Sequence, residues 1–240
     1  MGTPVKLSII TPTNRPDSLA LVDIALQRQT SKDFEWITIA PKGYDYGSIK
    51  PDITLDDPVK NVGDYWSLFK AYNKAIEAAN GEYILSVQDF TFFDSDTVKK
   101  LLFNMKPYRL ITGVGHKYEK VYPEKGPIIW TDPRVDGSND LKECPASWIE
   151  FNLGCFPKQA VYDIGGFDEY LDAFAGMCGL DVVDRLKIKG GYEFMIDQSM
   201  HSYSTDHGRP PQWEERGSIH GPYFKRKEEY YINPVLDYLN

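Results

Sequence analysis

The stretch GEYILSVQDFTFFDSD, Gly81 to Asp96, climbs through Tyr83, Ile84, Leu85 and Val87 and ends in Gln88-Asp89. A short apolar run bounded by polar and glycine signals is a buried strand, and this one delivers one carboxylate to a sheet edge. Carboxylate oxygens are ligands for Mg²⁺ or Mn²⁺, and sites that hold a nucleotide diphosphate through such an ion often present two or three of them. Here Asp89 stands between an amide, Gln88, and an aromatic, Phe90. The plainer reading of Asp89 is a turn or capping residue after a strand. A second group, Trp148, Glu150 and Asn152, combines an aromatic ring with a carboxylate, which suits a sugar face and its hydroxyls, although a Trp at such a place also serves as core. The stretch His207 to Gly221 carries His, Arg, Trp, two Pro and several charges without periodicity, an irregular loop long enough to close over a site.

Elements that would position these groups follow from apolar spacing. Val5 to Ile10 is a strand-like run closed by Thr-Pro-Thr-Asn-Arg-Pro. Ser18 to Gln29 then carries Leu19, Leu21, Val22, Ala25 and Leu26 at helical intervals, with Asp17 or Ser18 as the expected N-cap. Phe34 to Ala40 is a second strand, Tyr65 to Asn80 a helix with Leu68, Phe69, Tyr72 and Ile76 on one face, Gly81 its expected C-terminal cap, and Tyr83 to Val87 a third strand. Parallel neighbours require a helical crossover, so this alternation predicts an α/β fold around a mainly parallel sheet covered on both faces. Ligands of such sheets bind at the carboxyl ends of the strands, and both the Thr11 to Arg15 turn and Gln88-Asp89 fall there. From Lys106 to about Gly137 the composition turns to Pro, Gly, Tyr and charge, with β-like pieces at Arg109 to Val114 and Ile128 to Thr131, an insertion or an active-site loop. A helical stretch at Leu180 to Lys189, closed by Gly190-Gly191, completes the pattern.

The 240 residues suffice for a sizeable core, with 42% hydrophobic and 26% charged residues. A net charge of −8, from 27 basic against 35 acidic residues, gives no general attraction to nucleic acid or anionic lipid. Cys144, Cys155 and Cys178 are odd in number and lack CxxC spacing, so neither a disulfide framework nor a zinc knuckle is indicated. The apolar run Leu7 to Ile10 is too short for a signal-peptide core or a membrane span. A soluble, cytoplasmic protein is expected.

Three pieces in order carry a family resemblance. LSIITPTNRPDSLALVDIALQRQT resembles the opening of inverting glycosyltransferases of the family 2 type with the GT-A fold, YNKAIEAANGEYILSVQD resembles their second helix and metal strand, and IGGFDEYLDAFAGMCGLDVVDRLKIKGGY is similar to their acceptor-side segment. The match runs from about Leu7 to Gly191, with Lys106 to Lys142 unmatched. It implies a single GT-A-like domain over residues 1–240, a three-layer sandwich around a Rossmann-like sheet, with a nucleotide-sugar half (1–105) and an acceptor half with a C-terminal lid (106–240). Thr11, Pro12 and Asn14 then correspond to the loop around base and ribose. The carboxylate that usually ends the following strand is replaced by Ile39-Ala40-Pro41, leaving Asp45 nearest. Asn73 corresponds to a position near the diphosphate, Gln88 to a ribose contact, Asp89 to the metal ligand, and His207 to a C-terminal histidine on the metal, Mn²⁺ or Mg²⁺. Asp181 corresponds to the general base, Leu180 replaces the usual Glu beside it, and Trp148, Glu150 and Leu180 fall on the acceptor side.

The resemblance implies a metal-dependent transferase that moves a sugar from a nucleotide-diphosphate donor, a UDP-sugar first among them, to a hydroxyl of a glycan, lipid, protein or modified nucleobase. The thinned acidic motif also suits a catalytically silent carbohydrate- or nucleotide-binding domain. A nucleotidyltransferase ranks last, because Thr-Pro-Thr-Asn-Arg-Pro has no glycine with which to wrap phosphates.

Overall fold

The computed structural model describes residues 6–15, 17–57, 68–169, 172 and 178–205. The chain opens with β1 (Leu7–Pro12), α1 (Ala20–Gln27), β2 (Phe34–Ala40), β3 (Ile53–Asp56), α2 (Leu68–Ala78) and β4 (Tyr83–Val87). These strands lie in the order β3-β2-β1-β4, all parallel. β1 is therefore paired on both sides. Its side chains alternate between two apolar layers. Ile10 joins Ile37, Ile39 and Ile84 beneath Phe69, Tyr72 and Ile76 of α2, whereas Leu7 and Ile9 join Trp36, Leu85 and Val87 beneath Leu19 and, on α1, Val22 and Leu26.

Beyond β4 the sheet becomes mixed. β5 (Thr91–Phe93), α3 (Thr97–Asn104), β6 (Arg109–Tyr118), β7 (Ile128–Thr131) and β8 (Leu141–Glu143) precede a 3-10 turn, Ala146–Trp148; then come β9 (Leu153–Pro157), α4 (Lys158–Tyr162), α5 (Cys178–Lys189) and β10 (Glu193–Thr205). β9 runs antiparallel to both β4 and β6, and the order continues β4-β9-β6-β10-β5, with β7 on β6 and β8 on β10. One sheet thus spans the two expected halves. α4 and α5 add to the layer of α2 and α3 to that of α1, which makes the helix-sheet-helix sandwich of the α/β expectation.

Several local expectations are corrected. α1 begins at Ala20, and neither Asp17 nor Ser18 caps it through its side chain, because the Ser18 hydroxyl donates instead to the Arg15 carbonyl at 2.8 Å. Gly81 is no helix cap. α2 has already ended at Ala78, and Gly81 is required because a Cβ there would lie 2.6 Å from the Ser8 backbone nitrogen. β1 extends through Pro12, the segment from Ser147 runs into the antiparallel β9, and β10 is not legible in the residue pattern. Its sequence, EFMIDQSMHSYST, shows no clean alternation, because its Cα register shifts against β6 between Ile196 and His201.

Two close contacts fix the backbone, one at the start of α2 and one at β9. Asp172 accepts the backbone N–H groups of Phe69 (2.8 Å) and Lys70 (3.1 Å), satisfying donors of the first turn of α2. Burial raises this carboxyl to about 6. A carboxyl whose folded pKa stands above its unfolded value of 3.8 contributes stability at low pH that is lost as pH climbs through about 6. Asp172→Asn removes that titration, so its melting temperature relative to the native chain should shift in favour of Asn by about 2–6 °C between pH 4 and pH 7, read by parallel thermal melts. The second contact is at Gly154, where a Cβ would fall 2.1 Å from the Glu150 carbonyl oxygen. Gly154→Ala should cost about 2 kcal/mol or more, because backbone has to move, whereas Gly115→Ala, whose nearest neighbour would be 3.5 Å away, should leave the denaturation midpoint near the native value.

Candidate functional site

The tips of β1 and β4 meet around one carboxylate. β4 ends at Val87, Gln88 is exposed, and Asp89 turns inward, 7% exposed. Thr13 Oγ1 donates to Asp89 Oδ2 at 2.7 Å, Arg15 Nε donates to the same oxygen at 3.0 Å, and the terminal Nη2 of Arg15 bonds Oδ1. The Arg15 guanidinium also lies over the Phe90 ring, 4.7 Å from its centroid. Ser18 and Thr13 share a 2.5 Å hydroxyl contact, and Phe90 N–H donates to the Ser18 carbonyl at 2.8 Å. Among the described residues the two non-glycine positions in the left-handed region are Asp17 (φ 55) and Phe90 (φ 56), both within this knot.

Other expected donor contacts are distributed around it. Thr11 is buried, and its hydroxyl accepts from the Trp36 indole at 3.1 Å, so it serves the core beneath α1. Pro12 closes β1. Asn14 and Asp45 do come together, in a cleft of about 640 Å³ between α1 and the chain after β2, with Tyr44 and Tyr46 in its wall. The Tyr44 hydroxyl donates to the Arg15 carbonyl at 3.0 Å, which ties this cleft to the Asp89 knot. Asn73 faces a different partner: its amide donates to the Phe167 carbonyl (2.9 Å) and Glu169 (3.0 Å), and its oxygen accepts from Phe167 N–H (2.8 Å). It thereby clamps the Gly165-Gly166 turn, whose glycines adopt φ 78 and 92.

Acceptor-side candidates sit where β9 meets β6. Asp132, 2% exposed, receives a fork from Arg134, at 2.9 Å and 3.0 Å from Nε and through Nη2. Arg134 also reaches Glu150 Oε2 at 3.1 Å and the Trp148 carbonyl. This buried guanidinium was missed by sequence reasoning, since a lone Arg in a loop carries no periodic signal. Burial pushes the Glu150 carboxyl above its ordinary value, opposed by Arg134 and reinforced by Asp132, while 46% of the side chain stays exposed. Trp148, 37% exposed, presents part of its ring to solvent. Asn152 gives its carbonyl to Gln88 N–H at 3.3 Å, linking this group to the tip of β4.

Asp181 lies in the first turn of α5, 3% exposed, with Leu180 half-buried beside it. Arg185 donates twice to its Oδ2, at 2.9 Å from Nε and 2.5 Å from Nη2, and donates to the Ile164 carbonyl at 2.7 Å. The i, i+4 pair therefore fixes the orientation of the carboxylate and locks α5 to the glycine turn. His207 and the rest of the His207 to Gly221 stretch lie outside the described residues. Among the described residues, no group of three or more His, Cys, Asp or Glu is arranged to hold a metal ion.

No family model matches this chain, and no curated protein matches it. Solved structures do. It is similar to GalNAc-T7 with UDP, GalNAc and Mn²⁺, at 9% identity and a TM-score of 0.65 over 88% of this chain and 45% of that one. It is similar to S. aureus TarS residues 1–349 in complex with UDP, at 14% identity and a TM-score of 0.62 over 83% of this chain and 60% of the other. A second S. aureus TarS structure matches at 16% identity and 0.59, over 83% and 36%. The chain spans less than two thirds of the length of each. With its parallel β3-β2-β1-β4 half and the mixed strands beyond, it has the GT-A glycosyltransferase fold.

Proposed function

We propose that this protein is an inverting glycosyltransferase that moves a sugar from a nucleotide-diphosphate donor, a UDP-sugar, to an acceptor hydroxyl. The observation that carries this reading is the convergence of the β1 and β4 tips on Asp89, beside a cleft that contains Asn14, Tyr44 and Asp45, at the carboxyl ends of the parallel strands where such folds bind ligands. The UDP in the GalNAc-T7 and TarS structures supports the choice of donor. A tyrosine-walled cleft suits a base, and the Asp45 carboxylate suits ribose hydroxyls.

Mn²⁺ accompanies UDP in the GalNAc-T7 structure, and a divalent ion at Asp89 is the corresponding expectation here. The residues present do not fit it. Both Asp89 oxygens are engaged by Arg15, and Thr13 adds a third bond; a cation would have to displace a guanidinium from its fork.

For transfer, the acceptor oxygen attacks the anomeric carbon from the face opposite the diphosphate. The carbon–oxygen bond to the acceptor forms, the bond to the diphosphate oxygen breaks, and the acceptor proton passes to a carboxylate. Asp181 is the proposed base, at the mouth of α5 with its carboxylate oriented by Arg185. Glu150 and Trp148 are proposed to hold the acceptor, the ring against a sugar face and the carboxylate on a hydroxyl, with Arg134 positioning both.

A second reading has its own support. Both Asp89 and Asp181 are already ion-paired with arginines, which also suits a domain that binds nucleotide or sugar without turnover. Released UDP, measured with UDP-sugars over time, separates the two: catalysis predicts steady donor hydrolysis, and bound nucleotide without turnover would favour the silent domain. In the catalytic case Asp181→Asn should lower kcat by about two to four orders of magnitude with donor affinity unchanged, whereas Glu150→Gln should raise acceptor KM while kcat stays within about tenfold of the native value.

A further inference from the structure

We propose that Arg15, rather than a divalent ion, is the cation this chain sets against the donor diphosphate, so that nucleotide binding here is metal-independent; the inference rests on the nucleotide-sugar reading above. Three observations carry it. The first is the use of Asp89. A strand-tip carboxylate that serves a metal has to offer an oxygen lone pair to the ion, and this one offers both oxygens to one guanidinium, through Nε at 3.0 Å and through Nη2, while Thr13 donates at 2.7 Å. A planar fork held on a carboxylate in this way is fixed in both position and plane.

The second is the placement of that fork. Arg15 leaves the tip of β1, its side chain is 37% exposed, and its guanidinium carbon lies over the Phe90 ring, 4.7 Å from the centroid. Its backbone carbonyl accepts from Tyr44 (3.0 Å) and Ser18 (2.8 Å). The guanidinium is thus held by a carboxylate and a ring, on the residue that follows Asn14 of the cleft wall and whose carbonyl is tied to Tyr44 of the same wall. A diphosphate attached to a nucleoside in that cleft would lie next to it. The delocalised charge and fixed donors of a guanidinium match phosphate oxygens bidentately, and a group oriented in advance loses little entropy on binding.

The third is the backbone. Asp17 and Phe90 both adopt left-handed φ, a conformation that costs a non-glycine residue energy and persists only where its surroundings enforce it. Both flank the knot, one behind Arg15 in the β1 loop and the other directly after Asp89. Phe90 N–H is fixed on the Ser18 carbonyl at 2.8 Å, which holds the ring under the guanidinium. Asp89 is then a positioning residue for Arg15 instead of a ligand.

Isothermal titration of the full chain with UDP, GDP, CDP and dTDP, once in EDTA and once in Mn²⁺, tests this. The expected result is a nucleoside diphosphate whose Kd in EDTA lies within about threefold of its Kd in Mn²⁺, with Arg15→Ala weakening it at least tenfold in both buffers and Arg15→Lys recovering part of the loss. Thermal melts confirm that both variants fold. Binding that needs Mn²⁺, or that Arg15→Ala strengthens in Mn²⁺ by releasing Asp89, overturns the inference and leaves the glycosyltransferase reading standing. Absence of binding by any of the four diphosphates in either buffer overturns that reading itself.

Discussion

The loop that leaves β1 and the loop that leaves β4 are joined through one carboxylate, and the arrangement of the rim depends on that junction. β1 is an interior strand of the parallel half, paired with β2 on one side and β4 on the other, so its exit point is set by two ladders of backbone bonds. Parallel neighbours deliver their carboxyl ends to the same edge. Thr13 and Arg15 from one strand can therefore reach Asp89 from the next, although 74 and 76 positions separate them in the chain. A buried carboxylate without partners would be costly. The guanidinium and the Thr13 hydroxyl supply them, and the price of two left-handed backbone positions is borne beside the pair.

A second charge knot, Asp132–Arg134–Glu150, does the corresponding work on the other side of the rim. Inserting β9 antiparallel between β4 and β6 brings Glu150 and Asn152, which precede it, to the tip of β4. Gly154 allows the chain to double back so closely that its α-hydrogen faces the Glu150 carbonyl. Arg134 then bridges the loop after β7 to the 3-10 turn, through Asp132, Glu150 and the Trp148 carbonyl. The partly exposed Trp148 ring and the Glu150 carboxylate are thus carried by backbone with little freedom.

Comparable contacts hold the layer of α2 and α5 on the other face of the sheet. Asp172 satisfies the first amides of α2, Asn73 on α2 clamps the Gly165-Gly166 turn, and Arg185 on α5 fastens Asp181 to the Ile164 carbonyl. Charged and amide side chains here join elements distant in sequence. Each therefore fixes how α2, the glycine turn and α5 sit together.

The amino-acid sequence by itself determined the alternating strands and helices of the first half, the inward faces of α2 and β4, and the delivery of Asp89 to a strand end, because periodicity of apolar residues and the breaks at Gly and Pro are local properties. It also located the glycine turn before α5. Only the tertiary structure decided what Asp89 is bonded to, that Thr11 serves the indole of Trp36, that Asn73 is engaged by a turn 94 positions away, and that Arg134 gathers Asp132 and Glu150. It alone revealed β10, whose register shift against β6 erases the alternation a strand would show, and the true reason for Gly81, which is the close approach of Ser8. Spacing records which face a side chain takes within its own element; the partner it meets depends on which distant strand the sheet places beside it.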